Sequence, residues 1–145
     1  MPVKGNYRLL IFLIADEPIV IETLQELLNG LGHEVVTFNS TKDVFDDLER
    51  ASQPIDIILI ELKMTKGEDI KIIKELHQRY PEADIIIMTD CAPIISSRSA
   101  DSDGVYACLN IPFRLVELEL LMRLITEGRA DFRYIPYVAV GINRA

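Results

Sequence analysis

The chain has 145 residues, 49% of them hydrophobic and 26% charged, a composition typical of one globular domain. Twenty-three Asp and Glu outnumber fifteen Lys and Arg, and this net charge of −8 argues against binding nucleic acid or an anionic membrane by bulk charge. Two cysteines are too few for a disulfide framework, and we find neither a secretory leader nor a membrane-length apolar run. We therefore expect a cytoplasmic protein.

Short apolar runs rich in Ile and Val predict strands that are buried on both faces, as in a parallel sheet. In chain order these runs are 9–14, 35–38, 55–60, 85–88 and 105–109. The stretches after them predict helices: Pro18 suits a first helical position, Gly32 ends that helix, and Thr41 is the predicted N-cap of the next. Further helices are predicted over 68–80, 92–100 and 115–127. This order predicts an α/β fold with helices on both faces of an open parallel sheet.

In such sheets the ligand site lies beyond the carboxyl ends of the strands. The residues to inspect there are 15–18, 61–65, 89–92 and 110–113. Asp56 lies at the opposite end of the third strand, so we expect a structural role for it. We expect His33 and His77, near helix ends or on helix surfaces, to be exposed to solvent.

The motifs at these strand ends resemble those of the bacterial response-regulator receiver domain. Strand one ends in Ala15-Asp16-Glu17-Pro18, strand three in Glu61 with Met64 three residues later, strand four in Thr89, and strand five leads into Ile111-Pro112-Phe113. The resemblance covers roughly residues 7 to 128. It implies a flavodoxin-like (βα)5 sandwich with strand order 2-1-3-4-5 over 1–128. Residues 129–145 do not resemble a receiver, and their composition predicts an apolar C-terminal tail.

In that family an Asp at the end of strand three accepts a phosphoryl group, and two acids after strand one help it to hold Mg²⁺. A Lys before a cis-proline pairs with the phosphoryl oxygens, while a Ser or Thr and an aromatic residue act as the switch. At the positions of the two acids this chain has Ala15 and Asp16, and at the acceptor position it has Glu61. Ile111 occupies the lysine position, and Pro112 is the cis-proline candidate. Thr89 and Cys108 occupy the two switch positions.

These departures weaken the expected chemistry. Losing one acid weakens a magnesium site, and Ile111 removes the fixed cation opposite the phosphoryl group. We therefore expect no catalytic residue and no cofactor, with Mg²⁺ held weakly at most by Asp16 and Glu61. Glu61 has two functional interpretations, a phosphate mimic or a remnant of the dismantled site; the missing lysine favours the remnant.

The last predicted helix is apolar over a wider arc than one buried face requires. Leu115, Leu118, Leu121, Met122 and Ile125 are sufficient to cover the sheet, and Val116, Leu120 and Leu124 add apolar surface. In receivers, the fourth helix, the fifth strand and the fifth helix form the usual partner face. We therefore expect a homodimer through Val116, Leu120 and Leu124. The alternative is that the tail covers this face; the tail could also add an edge strand or cross to another subunit.

Together these features predict an atypical receiver of two-component phosphorelay signalling. It would be a phosphorylation-independent protein-interaction module and not an enzyme, with signalling proteins as its partners and with no nucleic acid or membrane bound. One alternative is a receiver that a histidine kinase still phosphorylates. The other is an unrelated flavodoxin-like ligand-binding protein, which is disfavoured because no glycine-rich phosphate loop follows strand one.

Overall fold

A computed structural model describes residues 8–47, 54–62, 67–89, 104–111 and 113–128 of the chain. The predicted helix over 92–100, the cis-proline candidate Pro112, Met64 and the tail over 129–145 lie outside these residues. Within the described part of the chain, no helix combines the length and apolar character that crossing a membrane requires.

Five parallel strands form one sheet with the order β2-β1-β3-β4-β5, which confirms the predicted topology. The strands are β1 (Leu10–Ile14), β2 (Glu34–Phe38), β3 (Ile57–Glu61), β4 (Asp84–Thr89) and β5 (Val105–Asn110). The helices are α1 (Pro18–Gly30), α2 (Thr41–Asp46), α3 (Gly67–Arg79) and α4 (Leu115–Gly128). Several strands include a polar residue that the apolar runs omit, because ladder hydrogen bonds are made by the backbone whatever the side chain.

The sheet is buried on both faces because successive side chains of a strand point to opposite sides. On β1, Ile11 and Leu13 join the cluster that α1 and α4 cover, while Phe12 and Ile14 join the cluster that α2 and α3 cover. Each fully buried side chain of this kind stabilises the fold by about 1.5–3 kcal/mol. The Phe12 ring lies edge-on to two other aromatic rings, with centroids 4.9 Å from Phe38 and 5.6 Å from Tyr80.

The residues predicted to begin and end α1 are confirmed, whereas the residue predicted to cap α2 needs a correction. Pro18 is the first residue of α1, and Gly32 follows its end with a φ of 98°, a conformation that favours glycine. The N-cap of α2 is Ser40 and not Thr41, because the Ser40 hydroxyl accepts a hydrogen bond of 3.2 Å from the backbone N–H of Asp43. Thr41 is the first helical residue.

Two side chains bind the backbone at the amino edge of the sheet, where the strands begin. The N–H of Leu9 donates to Nδ1 of His33 at 3.2 Å, and the N–H of Leu10 donates to Oδ2 of Asp56 at 2.9 Å. The structural role predicted for Asp56 is therefore confirmed. The exposure predicted for His33 is wrong: only 7% of it is accessible, because its ring supplies an acceptor that a buried strand needs.

The amino edge also contains a tight glycine contact. Gly104 precedes β5 with a φ of 83°, and a Cβ built on it would lie 2.4 Å from Nδ1 of His77. The imidazole of His77 therefore occupies the space that a side chain at position 104 would need. His77 is half-buried by this packing, so the exposure predicted for it is also wrong.

Candidate functional site

A cleft of about 630 Å³ lies at the carboxyl edge of the sheet, where the sequence predicts the site. It runs from the ends of β1 and β3 to the β2–α2 turn and the first turns of α3. Its lining residues are Ile14, Ala15, Asp16, Glu17, Asn39, Ser40, Thr41, Ile60, Glu61, Leu62, Asp69, Ile72 and Ile111. The structure therefore brings together Ala15, Asp16, Glu61 and Ile111, four of the predicted site residues.

The residues after β1 supply one wall of the cleft. Ala15 is buried, and its N–H donates to the carbonyl of Phe38 at 3.1 Å, which fixes its backbone beside the end of β2. Asp16 and Glu17 are exposed. A methyl group thus stands where the family resemblance implies a first carboxylate, and Asp16 occupies the position of the second.

Glu61 ends β3 and forms the floor of the cleft. Its ladder partner is Met88 of β4, and the next residue, Leu62, donates its N–H to the Met88 carbonyl at 2.9 Å. The side chain is half-buried and its Oε1 is shielded from solvent. The carboxylate is therefore held at the strand end, but it is one methylene further from the backbone than an aspartate would be.

Thr89 and Ile111 are neighbours at the ends of β4 and β5. Thr89 is fully buried, and its carbonyl accepts a hydrogen bond of 2.7 Å from the N–H of Ile111. Ile111 lines the cleft and also packs against the cluster under α1 and α4. Because its side chain is an alkyl group, this position supplies dispersion contacts and no charge.

Cys108 is buried on the face of the sheet that α2 and α3 cover. Burial raises the pKa of its thiol to about 12, so the group is protonated at neutral pH. Cys108 therefore packs as a core residue at the switch-equivalent position. Among the described residues Cys108 is a free cysteine.

The cleft has a negative electrostatic character. Asp16, Glu17, Glu61 and Asp69 contribute carboxylates, and none of the described lining residues is Lys, Arg or His. An anionic phosphoryl donor would meet like charges at short range, and among the described lining residues no Lys or Arg offsets them. The arrangement is therefore poorly suited to stabilise negative charge that develops on a transferring phosphoryl group.

The donor set for a metal ion is also reduced. Across the part of the chain that the structure describes, no three His, Cys, Asp or Glu side chains cluster in a way that could hold a metal ion. Of the three acid positions that the family resemblance implies, Asp16 and Glu61 still carry carboxylates, and both line the cleft. Mg²⁺ requires near-octahedral oxygen coordination, and two side chains would leave most of that shell to water. These residues do not make the three-acid site that the family resemblance implies.

Sequence reasoning missed the wall of the cleft that follows β2. Asn39, Ser40 and Thr41 line it, and Asp69 and Ile72 of α3 complete it. The signal was available, since the rule that ligand sites follow strand ends also applies to β2.

The predicted interface lies on α4, which is the last helix of the sequence prediction and follows the predicted helix over 92–100. Val116 and Leu120 are each 54% exposed and Leu124 is half-buried, whereas Leu118, Leu121, Met122 and Ile125 are buried against the sheet as expected. Leu115 was expected among the buried residues, yet it is 43% exposed. It occupies the first turn of α4 at the margin of the buried arc, so the sheet does not cover it.

Residues 11–123 match the protein family described as the response regulator receiver domain. The DNA-binding transcriptional regulator NtrC of Klebsiella pneumoniae is 27% identical over 111 residues, which are 77% of this chain and 23% of that protein. The probable C4-dicarboxylate response regulator DctR of Halalkalibacterium halodurans is 28% identical over 124 residues, which are 85% of this chain and 52% of that protein. The chain thus spans about a quarter of NtrC and about half of DctR.

Solved structures show the same fold. A response regulator from Thermotoga maritima matches with a TM-score of 0.70 at 16% identity, covering 83% of this chain and 99% of that one. A CheY-like receiver domain protein from Methanospirillum hungatei also gives 0.70, covering 86% and 98%. The family match excludes the alternative of an unrelated flavodoxin-like ligand-binding protein. The chain belongs to the response regulator receiver domain family, and it is a receiver domain of two-component signalling.

Proposed function

We propose that this receiver domain acts through protein contacts and without phosphorylation of its strand-end carboxylate. The observation that carries the proposal is Ile111, an alkyl side chain at the family's lysine position in a cleft whose charged lining residues are acidic. An alkyl side chain takes the place of the group that would attract the phosphoryl oxygens, while the five-stranded sheet beneath the site is retained.

The expected loss of phosphotransfer rate supports this proposal. Removing one fixed donor from a site that stabilises developing charge costs about 10²–10³ in rate, or roughly 3–4 kcal/mol. Ala15 removes a magnesium ligand in addition, and Glu61 displaces the acceptor oxygens by one methylene. These losses affect the same transition state, so we propose that phosphotransfer is too slow to carry a signal.

We also propose that metal binding at this site is impaired. Asp16 and Glu61 could supply two oxygen ligands, so Mg²⁺ would bind weakly at most and without the charge balance of a third acid. We also propose that Glu61 is a remnant and not a phosphate mimic. A mimic needs a fixed cation opposite it, and at the family's lysine position this chain has Ile111, which carries no charge.

The direct test is to incubate the chain with acetyl phosphate and Mg²⁺ and to measure its intact mass. We expect no gain of one phosphoryl group, either in the unmodified chain or in Glu61→Gln. A stable gain that disappears in Glu61→Gln would overturn the proposal and establish the alternative, a receiver that still accepts a phosphoryl group on Glu61.

We further propose that the partner surface is the outer face of α4, defined by Leu115, Val116 and Leu120, and that a second copy of the chain binds there. The support is exposure: these three apolar side chains lie together on the first two turns of one helix and are about half accessible. A symmetric contact would bury them without needing any group from the cleft.

Sedimentation velocity tests the homodimer. Leu120→Glu places a charge in the proposed contact and should weaken self-association at least tenfold, because a buried unpaired carboxylate is costly. Ile19→Glu is the matched control, since Ile19 is 68% exposed on α1 and lies outside the proposed contact. Equal self-association of the two variants would reject this surface.

A further inference from the structure

The short helix α2 has little buried surface of its own. It is six residues long; Val44 is buried and Phe45 is half-buried, while three of the other side chains are exposed. Lys42 and Asp46 form an ion pair at 2.6 Å, but both side chains are largely exposed, so this pair contributes little. Because a helix this short is not stable alone, α2 depends on contacts with its neighbours.

Arg79, the last residue of α3, supplies such a contact at the C-terminal end of α2. Its guanidinium lies 5.0 Å from the centroid of the Phe45 ring, and its Nη1 donates a hydrogen bond of 3.3 Å to the Phe45 carbonyl. The last carbonyls of a helix have no partner within the helix, and the helix dipole favours a cation beside them. One side chain therefore binds both the ring and the backbone of Phe45.

The α3 side of this contact is anchored in the core. Leu76 and Tyr80, which lie before and after Arg79 on the chain, are both buried. The N–H of Tyr80 donates to the Leu76 carbonyl at 2.8 Å, and the Tyr80 ring lies edge-on to Phe12 with centroids 5.6 Å apart. The backbone that carries Arg79 is therefore held firmly, and α2 is the less stable partner of the two helices.

The acidic cleft shares a wall with α2. Asn39, Ser40 and Thr41 line the cleft, and Thr41 is the first residue of α2. The Ser40 hydroxyl accepts a hydrogen bond from the N–H of Asp43, which joins this wall to the first turn of the helix. Any displacement of α2 must therefore move the wall relative to the rest of the cleft.

We propose that Arg79 is a positioning residue for the cleft: it holds α2 against α3, and the cleft opens when this contact breaks and α2 unfolds locally. Arg79 is not among the described lining residues of the cleft, so it acts through Phe45 and α2. Its side chain is exposed, so the guanidinium can leave Phe45 while the core stays closed. The inference requires neither phosphotransfer nor a dimer and is independent of the proposed function.

Native-state hydrogen exchange of the full chain, measured residue by residue by NMR at low urea concentrations, tests whether α2 opens by itself. The N–H of Asp43 donates to Ser40 and that of Asp47 to the Val44 carbonyl, so both report on α2. In the unmodified chain these amides should exchange faster than those of β3 and β4 and with little dependence on urea, because a local opening exposes little surface. Exchange of α2 with the rate and urea dependence of β3 and β4 would overturn the proposal.

Arg79→Ala tests the contact itself. An exposed cation–π contact and a hydrogen bond from a charged group together correspond to about tenfold in the opening equilibrium, so the exchange of Asp43 and Asp47 should accelerate about tenfold. Lys74→Ala is the matched control, since it removes an exposed cation from the same helix, and it should leave both rates unchanged. Equal exchange rates in the two variants would reject the contact.

Two further outcomes separate positioning of the wall from fraying of the helix end. If only Asp47 accelerates in Arg79→Ala, the C-terminal end of α2 frays while the wall stays in place, and the positioning role is rejected. In a Phe45→Leu background, Arg79→Ala should accelerate exchange only about threefold, because the ring is absent and the hydrogen bond to the carbonyl remains. The full tenfold effect in that background would exclude the Phe45 ring as the partner of Arg79.

Discussion

The two edges of the sheet differ in how they use polar side chains. At the amino edge, His33 and Asp56 accept hydrogen bonds from the backbone at the start of β1, so their polarity contributes to holding the strands. At the carboxyl edge, Asp16, Glu61 and Asp69 line an acidic cleft. The fold depends on the first edge and on the core, and chemistry in this family depends on the second. The groups that the chemistry needs can therefore change while the scaffold persists.

The largest effect expected from breaking the amino edge comes from Gly104→Ala. Alanine at a φ of 83° is strained, and its Cβ would overlap the ring of His77. We expect a loss of about 3 kcal/mol in the free energy of unfolding, measured by urea titration. Because Gly30 of α1 has no neighbour within 4 Å of a built Cβ, Gly30→Ala is the matched control and should stabilise slightly. Equal stability of Gly104→Ala and the unmodified chain would contradict the contact.

The next largest effect should come from Asp56→Ala. This substitution removes the acceptor of the Leu10 N–H at the start of β1 and leaves a partly buried donor without its partner. We expect a loss of about 2 kcal/mol in the same assay. Asp56→Asn retains an acceptor oxygen and should recover most of that loss. If alanine and asparagine prove equally destabilising, the hydrogen bond is not the source of the effect.

A smaller effect is expected from rebuilding the carboxyl edge. Ala15→Asp, Glu61→Asp and Ile111→Lys together restore the two acids, the shorter acceptor and the cation that the family chemistry uses. We expect Mg²⁺ to bind at least tenfold more tightly than in the unmodified chain, or about 1.4 kcal/mol, as measured by calorimetry. Ile111→Lys alone is the control and should not tighten Mg²⁺ binding, because it adds no ligand. No gain in the triple variant would argue against the assignment of these positions.

The smallest effect concerns pH at the amino edge. Burial lowers the pKa of His33 from its usual 6.5, and the Asp56 carboxylate raises it in part. The unfolded chain then binds a proton that the native chain does not, so stability is complete above pH 6.5 and falls as the pH is lowered through that value. His33→Asn keeps an acceptor for Leu9 without titrating. The difference in unfolding free energy between pH 7.5 and 5.5 should be smaller in this variant than in the unmodified chain.

The sequence was sufficient to predict the sheet and its order. The apolar runs are long enough for buried strands, and Pro18 and Gly32 act locally, so a prediction from pattern and from family resemblance is confirmed. The position of Leu115 was harder, because helical periodicity places it at the margin of the buried arc. Whether a marginal residue is covered depends on the neighbouring elements, which local spacing does not describe.

The polar groups of the molecule were predicted only in part, because local sequence spacing does not report contacts between distant residues. Ala15, Asp16, Glu61 and Ile111 follow strands that the apolar pattern identifies, and they meet in one cleft. The role of His33 could not be predicted, because its partner Leu9 lies 24 residues away and is a backbone group. No periodicity or side-chain motif reports such a contact.

The protonated thiol of Cys108 has a consequence for chemical stability. Alkylating agents and disulfide exchange require a thiolate that solvent can reach, and burial denies this residue both conditions. Its modification must therefore wait until the packing over this face of the sheet opens. The native chain thus contains a reporter at Cys108, whose labelling rate measures how often that packing opens.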